Sequence, residues 1–458
     1  MPRPDQNPPA SAREAALRAL HDVDVKEAYA NLALDARLTG SKLPGRDRAL
    51  ATELVYGTVR RLGTVDWAIG QAADRPLAKM DPWIRNVLRE AVYQILFMDR
   101  IPQRAAVDEA VELAKKYGHV GVAKFVNGVL RGFLRKLPDL QWPDEAKEPV
   151  QALAVRHSHP EWLVANWTER FGTAEAVRLM EANNQVPPLT IRVNRTKASR
   201  DEVAAALKAE GVETEPTRFS PDGLVVHDLT SSSYLDGLKA MKAGLFIVQD
   251  ESSMLVGRVM DPQPGWTVVD VAAAPGGKST HIAELMGNQG QVIAVDIHPH
   301  KVELIEQNAK RLGLSCIQGL AADARELGKM MPGRADAVLC DVPCSGLGTL
   351  ARRPDARWRK EETDPTALVP IQEAILVSAA QILKPGGTLI YSTCTIDPRE
   401  NQELVSSFVQ AHPEFRFDDI RPLLPEGLRS DAAEGYIQLY PHIHGTDGFF
   451  IARLKKQG

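Results

Sequence analysis

Four cysteines occur in the chain, at positions 316, 340, 344 and 394, and two of them sit where packing alone does not call for a thiol. Cys344 lies in CDVPCSGLG (340–348) and Cys394 in YSTCT (391–395), each just past a short β-branched run and beside Pro, Gly or Ser. A thiol there is a poor core residue, and in its thiolate form it is a nucleophile. Cys340 and Cys316 lie in or beside apolar runs and read as buried, inert thiols. Asp341 follows Cys340 directly, so Asp341, Cys344 and Cys394 meet at one pocket if the two runs are neighbouring strands. No C-x-x-C pair suggests a metal site, and four clustered cysteines do not make a disulfide framework.

A second cluster is DVAAAPGGKST (270–280), where Gly276, Gly277 and Lys278 stand just before a helical stretch. Glycines there let a ligand approach the backbone and a helix N-terminus. The ending resembles a phosphate-binding G-x-x-x-x-G-K-[ST] loop, but the residue five before Gly277 is Ala272, and no G-x-G-x-x-G follows a strand. Nucleoside-triphosphatase and dehydrogenase readings lose their main support. Asp296 closes QVIAVD (291–296), where a carboxylate can accept hydrogen bonds from ribose hydroxyls or cap the helix near Pro299. Asp323 follows the candidate strand Cys316–Leu320 and could reach an adenine edge or cap a turn. Four acids, Asp270, Asp296, Asp323 and Asp341, thus fall at or near successive strand ends.

The elements that must hold these residues are legible in the periodicity. WTVVDV (266–271), QVIAVD, ADAVLCD (335–341) and TLIYST (388–393) alternate with helical stretches, which predicts an α/β, doubly wound, mostly parallel sheet whose ligands bind at the carboxyl ends of its strands. Residues 246–458 form this domain. Residues 11–140 carry apolar residues at three- and four-residue intervals. The clearest helix follows Asp81 and Pro82, with Ile84, Val87, Leu88, Ala91, Val92, Ile95 and Leu96 on one face. PDLQWPDEAKEP (138–149) reads as a linker, and 141–245 as a small α+β module with helices at Glu161–Phe171 and Arg200–Glu210 and strands in LTIRVN (189–194) and GLVVHDL (223–229). Residues 1–10, with four prolines, are expected to be a disordered N-terminus.

The 458 residues are 44% hydrophobic and 25% charged, an ordinary soluble composition. Net charge is −4, but its distribution is uneven: +5 over 1–140, −3 over 141–245 and −6 over 246–458. A basic N-terminal third can attract phosphate; a scaffold bundle is the alternative. Without an apolar leader or a run of 18 apolar residues, a cytoplasmic protein away from the membrane is expected.

The successive motifs DVAAAPGGKST, AVDIHPHK, the Asp323 region, DVPCSGLGTLARRPDARW and YSTCTIDPRENQ resemble those of the Sun family of RNA cytosine-C5 methyltransferases. RALATELVYGTVRR (48–61) and VDEAVELAKKYG (107–118) resemble the helical antitermination domain NusB, and the combination is similar to the bacterial enzymes of that family that modify 16S rRNA. The resemblance implies a Rossmann-type methyltransferase core with an N-terminal all-α NusB-like domain and a small α+β RNA-binding module. It implies S-adenosylmethionine as cofactor, with Ala272, Ala273, Ala274, Pro275, Gly276, Gly277 and Lys278 around its methionine and ribose end. Asp296 would bind the ribose, Asp323 the adenine, and Asp341 would face the methionine end. Relatives often carry Cys and Ala where this chain has Ala272 and Val342.

The same resemblance assigns Cys394 as the nucleophile that adds to C6, Asp341 as the group at N3, and Cys344 as the residue of product release. The implied partner is 16S rRNA, and a monomer is expected. A tRNA substrate and a non-catalytic RNA-binding assembly factor remain alternatives. ARRPDARWRK (351–360) is expected to contact RNA, with Arg352, Arg353, Arg357, Arg359 and Lys360 on phosphates and Trp358 stacking on a base. Phe449 and Phe450 read as core.

Overall fold

The computed structural model describes residues 7–227 and 232–458. The expectation for residues 1–6, and the end of GLVVHDL at Asp228 and Leu229, lie outside the described residues. The chain divides into two compact units: Met1–Val186 with Leu350–Lys360, and Pro187–Thr349 with Glu361–Gly458.

The first unit is helical. Seven helices, from Ala12–Val25 to Val120–Lys136, bury one core, and three more follow at Pro149–His157, Glu161–Phe171 and Thr173–Asn183. In the helix Pro82–Phe97, Asp81 accepts the Trp83 N–H and Pro82 occupies the first turn, where its missing N–H costs nothing. Ile84, Val87, Leu88, Ala91, Val92 and Ile95 are buried, as the spacing requires, with Leu96 packed against them. The compact units do not follow the sequence-derived boundaries at 140 and 245. The proline-rich stretch 138–149 is exposed apart from the half-buried Leu140 and Pro143, as a linker should be, with Trp142 stacked on Trp67 at 4.6 Å, and the helices through 183 stay with the first unit.

The second unit holds two sheets. The smaller is formed by β1 (Leu189–Val193), β2 (Thr214–Pro216), β3 (Gly223–Val226) and β4 (Phe246–Val248), in the antiparallel order β2-β3-β1-β4. The helix Arg200–Ala209 packs on it through Val203 and Leu207, its start fixed by a Ser199–Glu202 capping box.

The larger sheet contains β5 (Thr267–Asp270), β6 (Gln291–Asp296), β7 (Ile317–Ala321), β8 (Ala335–Asp341), β9 (Leu383–Thr393), β10 (Phe415–Phe417), β11 (Tyr436–Leu439) and β12 (Phe449–Lys456). Its order is β7-β6-β5-β8-β9-β12-β10, with β11 on β12. The pairs from β7 to β9 are parallel, while β12 is antiparallel to its neighbours. Both faces are covered: Val269, Val338, Cys340 and Tyr391 join one core, and Val268, Ala337, Leu339 and Ile390 the other. Strands buried on both faces must be apolar throughout, which is why they read as unbroken β-branched runs. The chain winds outward from β5 to β6 and β7, then returns to β8 and β9 on the other side. That reversal leaves a crevice at the carboxyl ends of β5 and β8.

Candidate active site

All five parallel strands deliver their carboxyl ends to the same edge of the sheet, so residues far apart in sequence converge there. Asp341 and Ser392 are register partners on β8 and β9, and the loops that leave these strands carry Cys344 and Cys394. Their Sγ atoms lie 3.4 Å apart, within hydrogen-bond range for sulfur and without a disulfide. The expected grouping of Asp341, Cys344 and Cys394 is therefore present.

The thiols are held by a polar layer beneath them. Glu400, fully buried, accepts the Ser345 N–H at 2.8 Å and Gln372 Nε2 at 2.9 Å, and also the Ser345 hydroxyl. Ser345 Oγ is 2.8 Å from Thr395 Oγ1, which ties the Cys344 loop to the Cys394 loop. The Gly348 N–H donates to the Cys394 carbonyl at 3.0 Å. Asn401 Nδ2 donates to the Thr395 carbonyl at 3.0 Å and to Gln438 Oε1 at 2.7 Å. Gly348 is required by close approach: a Cβ there would lie 1.9 Å from the Gly448 carbonyl oxygen. These supporting residues were not assigned roles from sequence. Their signal was the density of polar side chains in PCSG and in TIDPRENQ, where solvated loops and buried networks look alike.

Burial and neighbouring groups act strongly on Cys344 and on Lys278. The Cys344 thiol is pushed well above its ordinary value, first by its hydrogen bond to Cys394 and then by burial. Either sulfur can donate to the other across this contact. Lys278 Nζ is 2.7 Å from Asp341 Oδ2 and 5.1 Å from the centre of the Phe449 ring. Burial alone would lower its ammonium, but the negative charges of Asp341, Cys394 and Asp270 raise it. Ser392 Oγ donates to Asp341 Oδ1 at 2.8 Å. Asp341 is thus gripped from both sides. Cys340 is buried and its thiol is pushed far up by burial, as an inert core residue should be. Cys316 departs from expectation: standing just before β7 at the sheet margin, it is only half-buried.

The loop after β5 runs through Ala272, Ala273, Ala274, Pro275 and Gly276 into the helix Gly277–Leu285, with a cis Ala274–Pro275 bond. Ala273 N–H donates to the Val295 carbonyl at 2.7 Å, which fastens the loop to β6. Gly276 has φ +99°, a left-handed conformation, and a Cβ there would come within 3.3 Å of Ile305 Cα. Beneath the loop, Asp270 accepts the Ser279 hydroxyl at 2.6 Å, while its buried Oδ1 has no side-chain hydrogen bond. Burial raises this carboxyl to about 7.

Asp296, at the end of β6, accepts the His298 N–H at 2.9 Å. It therefore serves the turn into the helix Pro299–Leu312 while remaining at the strand end. Asp323, two residues past β7, caps a short turn and pairs with Arg325 at 2.6 Å, which draws its carboxyl below the ordinary value. Capping and ligand binding are compatible at both positions. The cradle suits an adenosyl cofactor: a left-handed glycine, an open helix N-terminus at Gly277, and two carboxylate acceptors at successive strand ends.

Within the basic stretch 351–360, Arg357, Trp358 and Arg359 overturn the expectation of RNA contact. Arg357 is fully buried within the helical unit, where its guanidinium donates to the carbonyls of Ser158 (3.0 Å), Asn183 (2.9 Å) and Leu350 (3.3 Å) and to Asn184 Oδ1 (2.9 Å). Trp358 donates Nε1–H to the Val59 carbonyl at 2.9 Å and packs against the helical core. Arg359 binds the carbonyls of Glu27 and Ala28. Helix ends offer unsatisfied carbonyls, and these side chains answer them, so they are not poised for phosphates or bases. Phe449 and Phe450 are core, as expected.

Three known families match the chain: NusB over 10–135, the ferredoxin-like domain of RsmF/B-like methyltransferases over 159–231, and 16S rRNA methyltransferase RsmB/F over 257–455. The probable ribosomal RNA small subunit methyltransferase B of Bacillus subtilis is 42% identical over 98% of this chain and 99% of its own. That of Synechocystis is 40% identical over 97% and 99%. Among solved structures, PH0851 superposes with a TM-score of 0.81 at 30% identity, covering 96% of this chain and 98% of that one.

Proposed function

Because the chain belongs to the family of ribosomal RNA small subunit methyltransferases B, we propose that it transfers the methyl group of S-adenosylmethionine to C5 of a cytosine in 16S rRNA. The path runs through a covalent cysteine–C6 adduct. Methyl transfer to small-subunit rRNA is the activity of the family; base, atom and adduct are the reading that the site supports best. The observation that carries it is the 3.4 Å approach of Cys344 and Cys394 beside Asp341.

C5 of cytosine is too weak a nucleophile to take a methyl group directly, so a nucleophile must first add to C6. Cys394 has that role. Its thiolate is supported by the S–H of Cys344 and by the nearby ammonium of Lys278. As the thiolate adds to C6, N3 gains electron density and takes up a proton from water, and the Asp341 carboxylate, oriented by Lys278 and Ser392, accepts the hydrogen bond of the N3–H so formed. The bound cofactor supplies an electrophilic methyl group. Once the Cys394 sulfur is bonded to C6 its charge is gone, and with it the main reason for the high affinity of Cys344 for its proton. Cys344 can then lose its proton to water and, as thiolate, take the C5 proton; the freed C5 electron pair re-forms the C5=C6 bond as the C6–S bond breaks, N3 gives up its added proton and the Cys394 thiolate leaves. A cytosine must leave its stack to present C6 to a thiol, so a loop or flipped base is the substrate.

On this reading Ala272 to Lys278 hold the methionine and ribose end of the cofactor, Asp296 the ribose and Asp323 the adenine. The NusB-like segment 11–140 and the module 141–245 supply RNA contacts, and the protein works as a cytoplasmic monomer. Among the described residues no helix is long and apolar enough to cross a membrane.

The test is methyl transfer from labelled S-adenosylmethionine to unmethylated small-subunit rRNA and to tRNA, using wild type, Cys394→Ala and Cys344→Ala, with denaturing gels. One labelled rRNA cytosine, an inactive Cys394→Ala and a gel-stable RNA adduct of Cys344→Ala are expected. Labelling of tRNA alone would overturn the substrate, and activity surviving in Cys394→Ala would overturn the nucleophile.

A further inference from the structure

Arg192, on β1 of the small sheet, is fully buried and directs its whole guanidinium at the helix that follows the cofactor loop. Nε and Nη2 donate to the two oxygens of Glu284 at 3.2 and 2.9 Å. Nη2 also donates to Thr280 Oγ1 at 2.9 Å, and Nη1 to the Gly277 carbonyl at 2.6 Å and to Gln249 Oε1. Thr280 in turn donates to the Gly276 carbonyl at 2.7 Å. One side chain therefore fixes positions 276, 277, 280 and 284, the first two turns of the helix and the glycine before it. Lys278, which grips Asp341, is the next residue along.

A buried ion pair offers little net stability over apolar side chains of the same volume, because desolvation offsets the attraction. What this pair supplies is geometry. The planar fork of arginine reaches five acceptor atoms on four residues in fixed directions, whereas a lysine ammonium is a point charge on a flexible stem.

We propose that Arg192 is a positioning residue for the cofactor site, holding the Gly276–Lys278 junction at the height that both cofactor binding and the Lys278–Asp341 pair require. The inference rests on the reading that S-adenosylmethionine binds at 272–278. It makes the small sheet, besides any contact with RNA, the rear wall of the cofactor loop.

The test uses the full-length protein with S-adenosylhomocysteine as a non-reacting probe. Arg192→Met combined with Glu284→Leu removes both charges and keeps the volume. This double variant should unfold at a temperature near that of wild type, yet bind the probe by calorimetry about tenfold more weakly or worse, with its KM for rRNA within about twofold. Amide hydrogens of 277–282 should exchange faster in it. Arg192→Lys should fall between the two. Should the double variant fail to fold, Thr280→Val removes one acceptor of Arg192 together with the hydroxyl's links to the Gly276 and Gly277 carbonyls, leaves the Glu284 pair intact, and should still weaken the probe about threefold. A folded double variant, or Thr280→Val, with wild-type affinity overturns the role of Arg192. Wild type that fails to bind the probe overturns the cofactor reading as well, so the two failures are distinguishable.

Discussion

Replacing Asp270 with asparagine should stabilise the second unit, and more so as the pH rises. The carboxyl is 1% exposed at the end of β5, and burial lifts it from an ordinary 3.8 to about 7. The folded state therefore holds a proton that the unfolded chain has released between those two values. Where the folded state binds more protons, stability falls as pH rises. It is fully retained below about pH 4 and lost progressively until the folded carboxyl ionises near pH 7. A shift of about three units at 1.36 kcal/mol each makes the total about 4 kcal/mol at pH 8.5, and about half of that at pH 5.5. Asparagine has the same shape and keeps an oxygen for the Ser279 hydroxyl, but carries no charge to bury. The gain over wild type should grow from about 2 to about 4 kcal/mol between those two pH values.

Cys340, buried on the neighbouring β8, reports the opening of this unit. A brief pulse of thiol reagent after equilibration in urea, with Cys340 quantified by mass spectrometry, yields the unfolding midpoint at each pH. A gain that is the same at both pH values, or a loss at the higher one, would refute the argument that Asp270 ionises at the cost of its burial.

Gly348→Ala would drive a methyl group into the Gly448 carbonyl and to within 2.8 Å of the Cys394 carbonyl. The protein should stay folded by circular dichroism but lose about a hundredfold in methyl transfer, the scale expected when a reacting group is misplaced by an ångström. Lys278→Met leaves Asp341 with Ser392 alone and should cut turnover about tenfold or more, with Lys278→Arg recovering part of it, as read from initial rates. Arg357→Ala strands several buried carbonyls and should destabilise the helical unit by about 3 kcal/mol or more in urea titrations. The salt dependence of RNA binding should not change, whereas a phosphate contact would lower its slope.

Much of this site could be read before any fold was known, because its signals are local. Gly276 and Gly277 before a helix, Asp296 and Asp341 at the ends of β-branched runs, and Cys344 and Cys394 in turn-forming surroundings each depend on a few neighbouring residues. The same holds for the helix Pro82–Phe97, whose cap and apolar spacing lie within one segment, and for the β strands of the parallel sheet, whose two-sided burial demands continuous apolar runs.

Contacts between distant segments carry no such mark. That Arg357 and Trp358 close helix ends rather than meet RNA follows from the carbonyls of Val59, Ser158 and Asn183, which a linear reading cannot bring to them; a basic run has the same composition solvated or buried. The grip of Arg192 on Gly277 and the Glu400 bonds beneath the thiols have the same origin. Residue type and spacing thus settle which backbone conformations and which chemistries are available along the chain. Long-range packing settles which charges lose their water, which partners compensate them, and hence that the Cys344 thiol beside Cys394 is held well above its ordinary value.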